Sequence, residues 1–99
     1  MSERVRILRR ARRDLLEIQQ YIARDAPEVA DRVVDQLVDS IESLSALPLR
    51  GAIPRDARLR SLGFRFLLLG SHLVFSRVVR SEVRVYRVLH GKRAYAGIL

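Results

Sequence analysis

The chain has 99 residues, of which 48% are apolar and 6% aromatic, with a formal net charge of +8 and no cysteine. This length makes a single domain, residues 1–99, whose core is thin and aliphatic and has little room for a deep internal substrate cavity, so function is expected on the surface or in a shallow groove. The missing cysteines exclude disulfides and thiolate metal sites, and the longest apolar run, Phe66 to Leu69, is far short of the ~18 residues a membrane span needs.

The charge is segregated along the chain. Residues 1–13 hold six arginines against Glu3, for a net +5. Residues 14–42 hold eight acids against Arg24 and Arg32, for a net −6. Residues 43–99 hold eleven bases against Asp56 and Glu82, for a net +9. A basic surface of this density attracts polyanions, either nucleic acid or an acidic protein segment. All bases but Lys92 are arginine, whose planar fork grips carboxylate or phosphate through two bonds. The first thirteen residues lack the apolar stretch of a signal peptide, so the expected location is the cytoplasm, with no membrane role.

Arg4 to Leu8 reads as a short strand with Val5 and Ile7 on one face. Ala11 to Arg24 reads as a helix, because Ala11, Leu15, Ile18 and Ile22 form one apolar stripe with Asp14 and Glu17 beside it. Pro27 suits the first position of a second helix and Glu28 suits its positive end. That helix is expected to run to about Ala46. Ala30, Val33, Leu37, Ile41 and Leu44 make its buried stripe, and Asp31, Asp35, Asp39 and Glu42 a solvated acidic face.

Pro48 and Gly51 end the helical part, and residues 48–58 read as a loop. The texture then becomes β-branched and aromatic with period two. Three strands are predicted, Leu59–Leu69, His72–Val79 and Val83–Leu89, joined by short turns as an antiparallel meander. The fold class is therefore α+β in the order β-α-α-β-β-β, with a two-helix hairpin on one face of a small, mainly antiparallel sheet whose other face stays open. Period two puts Arg84, Tyr86 and Val88 on one face of the last strand. Val83, Val85, Arg87 and Leu89 fall on the other. Arg77, Arg84 and Arg87 are candidates to line a basic groove.

Four stretches, in order, resemble the RelE/ParE toxin superfamily, and most closely its ParE branch. They are Asp14–Ala23 with Pro27 and Ala30; Leu44–Gly51 with its Pro48-Leu49-Arg50-Gly51; Gly70-Ser71-His72-Leu73-Val74-Phe75-Ser76-Arg77-Val78; and Arg87-Val88-Leu89-His90-Gly91-Lys92-Arg93. The resemblance implies a RelE/ParE-like fold and the toxic half of a type II toxin–antitoxin system. Its implied partner is a cognate antitoxin, acidic and ParD-like, that folds on binding and forms a hetero-oligomer with the toxin.

ParE members inhibit DNA gyrase and block replication, whereas RelE members are ribosome-dependent endoribonucleases that cut messenger RNA. Metal-independent RNA cleavage needs a base at the 2′-hydroxyl, cations around the phosphorane and an acid at the leaving oxygen. RelE proteins use lysines, arginines and an aromatic or histidine for these jobs, but this chain has only Lys92. If it is a nuclease, His72, Arg93 and Tyr95 would carry the chemistry. The favoured expectation is a gyrase inhibitor with no catalytic residues, acting on gyrase or on its complex with DNA. His90, Lys92, Arg93 and Tyr95 would dock the target, and Arg77, Arg84 and Arg87 the antitoxin. A degenerate module that binds antitoxin without toxicity is the remaining alternative. No cofactor and no metal site are expected.

Overall fold

The computed structural model describes residues 3–91. The elements are β1 (Arg4–Ile7), α1 (Arg9–Ala23), α2 (Pro27–Glu42), a 3-10 turn (Ser43–Ser45), α3 (Ala57–Ser61), β2 (Arg65–Leu69), β3 (His72–Val79) and β4 (Glu82–His90). The four strands lie in the order β1-β4-β3-β2, with β1 parallel to β4 and the other pairs antiparallel. The expected β-α-α-β-β-β order is present, with one short helix added.

The helical hairpin forms where the apolar spacing places it. Ala11 and Leu15 of α1 and Leu37 and Ile41 of α2 enter one core with Val74, Val83, Val85 and Val88 of the sheet, while Val5, Ile7 and Ile18 pack against it. Pro27 occupies the start of α2 and Glu28 its first turn. Asp31, Asp35, Asp39 and Glu42 are all exposed, as their spacing requires. The α-helix ends at Glu42, short of the expected Ala46. There the Ser43 hydroxyl donates back to the Ser40 carbonyl at 2.6 Å and accepts from Arg50 at 2.6 Å. Such back-bonding competes with the regular ladder, and the chain tightens into a 3-10 turn that still buries Leu44.

The expected strand Leu59–Leu69 is corrected to a helix followed by a shorter strand. Asp56 accepts a hydrogen bond from the Leu59 amide at 2.9 Å and so caps α3. Gly63, at φ +84, stops it: its N–H donates to the Arg60 carbonyl and that of Phe64 to the Leu59 carbonyl, both at 3.1 Å. The helix lays Leu59 on the far side of the sheet, where Leu59, Phe64, Leu73, Phe75 and Leu89 form a second core. That face, expected to be open, is therefore half covered.

A second correction concerns alternation along β4. The register between β3 and β4 shifts at Phe75/Ser76, so Val85 pairs with Ser76 and Arg87 with Phe75. The bulged Tyr86 breaks period two. Val88 consequently joins Val83 and Val85 beneath the helices, and Leu89 joins the second core.

Ala52 forms an isolated bridge to Phe66 that guards part of the β2 edge, with Ala52 N–H to Phe66 O at 2.8 Å. This draws Gly51 so close that an added Cβ would stand 2.6 Å from the Phe66 carbonyl oxygen, at a φ of +117. Gly51→Ala is expected to lower unfolding stability by about 1–3 kcal/mol through both effects. Urea unfolding measures it, and an unchanged midpoint would contradict the close approach.

Candidate functional site

Asp14 organises the site from a buried position. Strand β1 makes its last pair at Ile7↔Val85, and the final rung is Leu8 N–H to Val85 O at 3.0 Å. Beyond Val85 the β4 edge has lost its neighbour. Helix α1 crosses there and Asp14, 2% exposed, takes the strand's place. Its carboxylate accepts from the Val88 amide at 2.9 Å and from Arg87 at 2.8 and 3.2 Å. Arg10 adds an ion pair at 3.0 Å. A fork-on-carboxylate pair with a backbone N–H satisfies a buried acid well. Expected beside the apolar stripe, Asp14 is instead buried on it, and its spacing of three residues from Ala11 and four from Ile18 is the sequence signal for that burial.

Helix α1 then runs toward the far end of β4. Glu17, Ile18, Tyr21 and Ile22 line a groove with His72, Val88, Leu89 and His90. A continuation toward α2 adds Val29, Val33, Leu69, Gly70 and Ser71. His72 and His90 are Cα partners on β3 and β4, their rings edge-to-face with centroids 5.7 Å apart. The end of β4 is tied to the β2–β3 turn by Gly91 N–H to Ser71 O at 2.7 Å. Burial, and then the neighbouring His90, lowers the pKa of His72 below the ordinary imidazole value. Tyr21 stands 73% exposed at the rim.

The arginines assemble elsewhere. On the face away from the helices, Arg77 pairs across strands with Arg84, and Arg84 with Arg6. Arg77 donates from Nε to the Tyr86 hydroxyl at 2.9 Å and from a terminal nitrogen to the Leu62 carbonyl at 3.3 Å. Its guanidinium lies over Phe64 and Tyr86, 5.1 and 5.0 Å from the ring centres. Arg84 pairs with Glu82 at 2.8 Å. The hydrogen bond from Arg84, and the charges of Arg84, Arg6 and Arg4, lower the Glu82 pKa against a smaller opposing effect of burial.

Of the three arginines expected to line one groove, the structure joins two. Arg77 and Arg84 are neighbours, but Arg87 turns to Asp14 and its side chain is only 12% exposed. Arg6, from the first strand, completes the row in its place. Sequence reading missed it because the pairing of β1 with β4 is a long-range fact. The structure brings His72, named as a residue of the nuclease alternative, beside His90, named for target docking, whereas Lys92, Arg93 and Tyr95 lie outside the described residues. His72 and Arg77 are five residues apart on one strand, about 16 Å, and on opposite faces. Among the described residues no group of three or more His, Asp or Glu side chains is placed to hold a metal ion, and no helix is long and apolar enough to cross a membrane.

The profile of the family described as ParE toxin of type II toxin–antitoxin system, parDE, matches residues 5–95. The chain belongs to the ParE toxin family. It is also 30% identical to the toxin candidate Y4kP of Sinorhizobium fredii (strain NGR234), over 98% of this chain and 97% of that one. Among solved structures it is similar to a chain of the chromosomal ParDE system of P. aeruginosa, with a TM-score of 0.78 and 21% identity over 90% of this chain and 96% of that one. It is similar too to a chain of the RelBE2 toxin–antitoxin complex of Mycobacterium tuberculosis, with a TM-score of 0.68 and 25% identity over 91% and 92%. This fold of the ParE/RelE superfamily carries the histidine groove and the arginine row on separate surfaces.

Two predictions follow from this geometry. Asp14→Ala strands the Val88 amide and the Arg87 charge, and is expected to lower stability by about 3–5 kcal/mol out of a total on the order of 5–15. Asp14→Asn keeps an acceptor and should lose less; urea midpoints ranking the two the other way would sink the account. The second concerns pH. His72 has a folded pKa below its unfolded value of about 6.5, so on acidification the unfolded chain takes up its proton first. Stability should therefore fall as pH drops below about 6.5 and level off past the folded pKa. His72→Gln should flatten that part of the thermal midpoint profile, and identical profiles would exclude the effect.

Proposed function

We propose that this ParE-family toxin inhibits DNA gyrase, alone or as the gyrase–DNA complex, and does not cut RNA. A cognate acidic, ParD-like antitoxin that folds on binding neutralises it in a hetero-oligomer. The observation that supports the inhibitor reading is the separation of imidazoles from guanidiniums. A ribonuclease must bring its base and its cations within hydrogen-bond reach of one phosphate. Among the described residues, the groove that holds His72 and His90 has Glu17 and Asp14 on its wall and no arginine or lysine. The paired Arg77 and Arg84 sit on the opposite face. A groove with an exposed tyrosine, apolar floor and polar rim suits protein docking. His90 forms part of that docking surface, and Lys92, Arg93 and Tyr95 follow it in sequence.

The competing reading is a RelE-like, ribosome-dependent endoribonuclease with His72, Arg93 and Tyr95 in catalysis. The likeness to the RelBE2 complex keeps it open. The deciding experiment runs both activities on the purified full chain. Plasmid supercoiling by gyrase should be inhibited at micromolar toxin, and messenger on programmed ribosomes should stay intact by primer extension. Arg93→Glu should weaken the inhibition without unfolding the chain. Messenger cleavage that disappears in Tyr95→Phe would reverse the assignment. Normal growth on induction without antitoxin would leave only a non-toxic antitoxin-binding module.

A further inference from the structure

The row Arg6–Arg84–Arg77 runs across three strands, one arginine from each of β1, β4 and β3. Like charges directly opposite each other in a sheet are destabilising. Here three stand in line, with Arg4 beside them opposite Glu82. Glu82 contacts Arg84 at 2.8 Å and Arg4 at 3.9 Å, and so answers only part of the positive charge. Two of the heads are already held in place, Arg84 by Glu82 and Arg77 by Tyr86 and Phe64. The contacts of Arg77 with Tyr86 and Leu62 occupy two of the five N–H groups that a guanidinium carries. A row of partly ordered, closely spaced forks is prepared for more than one carboxylate.

We propose that this row receives an acidic α-helical segment of the antitoxin, lying across the strands. The proposal rests on the toxin–antitoxin reading above and adds the surface, the secondary structure and the register. Neighbouring strands are about 4.8 Å apart, so the row places charges at about 0, 4.8 and 9.6 Å. Acids at positions i, i+4 and i+7 of a helix rise by about 0, 6 and 10.5 Å along its axis. Alternate residues of an extended peptide fall at about 0, 6.6 and 13 Å, which overshoots the third arginine.

Single-stranded nucleic acid fits less well, because it binds by stacking bases on exposed rings. The rings beside the row are Phe64, 2% exposed, and Tyr86, both already against Arg77. The chain's own α2 also carries an acidic face, in Asp31, Asp35 and Asp39. A second copy is nonetheless disfavoured, since two bodies of charge +8 repel and the contact would be head-to-tail, not two-fold.

The test uses the full chain and a labelled synthetic helical peptide with glutamates at i, i+4 and i+7. Two competitors accompany it, the same peptide with glutamines and a single-stranded oligonucleotide of equal charge. Fluorescence anisotropy should give binding that weakens with salt and that falls about tenfold in Arg6→Glu and in Arg84→Gln. Arg32→Glu, on exposed α2, should leave it unchanged, and circular dichroism should report all three variants folded. Equal binding of the glutamine peptide, equal loss in Arg32→Glu, or stronger row-dependent binding of the oligonucleotide overturns the proposal. Self-association that Arg6→Glu abolishes overturns it in favour of a second copy. Gyrase inhibition by Arg6→Glu, compared with wild type, separates the two readings: wild type without inhibition removes the gyrase assignment and leaves the docking result standing.

Discussion

A four-residue β1 strand leaves most of one edge of β4 unpaired, and the rest of the molecule is arranged around how that edge is finished. A backbone N–H left without a partner beside a packed core costs as much as a lost hydrogen bond. Asp14 answers it from a helix instead of a strand, and the same carboxylate holds Arg87. Removing the charge from one partner leaves the other stranded, which makes the pair far harder to delete than its modest net contribution suggests. The contact also sets the position of α1 along β4. Ile18 and then Tyr21 and Ile22 follow Asp14 at one-turn intervals, so fixing Asp14 at Val88 carries them to His90. The groove is thus a consequence of the anchor.

The bulge at Tyr86 is the second organising device. Without it, Val88 would face away from the helices and Arg87 would point into the helical core. With the extra residue, valines 83, 85 and 88 share the main core, Leu89 reaches the second one, and Arg87 emerges where Asp14 waits. Bulges bend a strand and re-aim side chains in this way next to functional surfaces.

Those two features explain what could be read from the residues alone. The helical hairpin was legible because Ala11, Leu15, Leu37 and Ile41 repeat at helical spacing and Pro27 divides the halves. The hairpin strands were legible from β-branched texture and short turns. The beginning of the predicted strand at Leu59 was not, since five residues with Leu59 inward satisfy either period, and only the Asp56 cap and the Gly63 stop decide for helix. At the candidate site, the His72–His90 pair is what a meander with a two-residue turn at Gly70-Ser71 brings together. The loss of Arg87 from the basic groove and the entry of Arg6 depend on a bulge and on a parallel pairing between the first and last strands. Neither leaves a periodic trace in one sequence.

The charge pattern acquires a structural meaning in this frame. Five of the eight acids of the acidic segment lie exposed on α2, whereas Arg6, Arg84 and Arg77, drawn from the two basic segments, meet on the far face of the sheet; Arg9, Arg10, Arg12 and Arg13 stay with α1. The side-by-side arginines weaken the fold slightly, and the hairpin tip adds strain, for Arg80 and Ser81 both adopt positive φ without being glycine. A domain of this size has little stability in reserve. An anionic partner that binds only the folded chain raises its stability by an amount set by concentration over affinity, about 4 kcal/mol at a thousandfold excess over Kd. That is comparable to the stabilisation attributed to the Asp14 anchor. A surface that is mildly unfavourable alone and strongly favourable when covered couples the persistence of the folded toxin to the presence of whatever covers it.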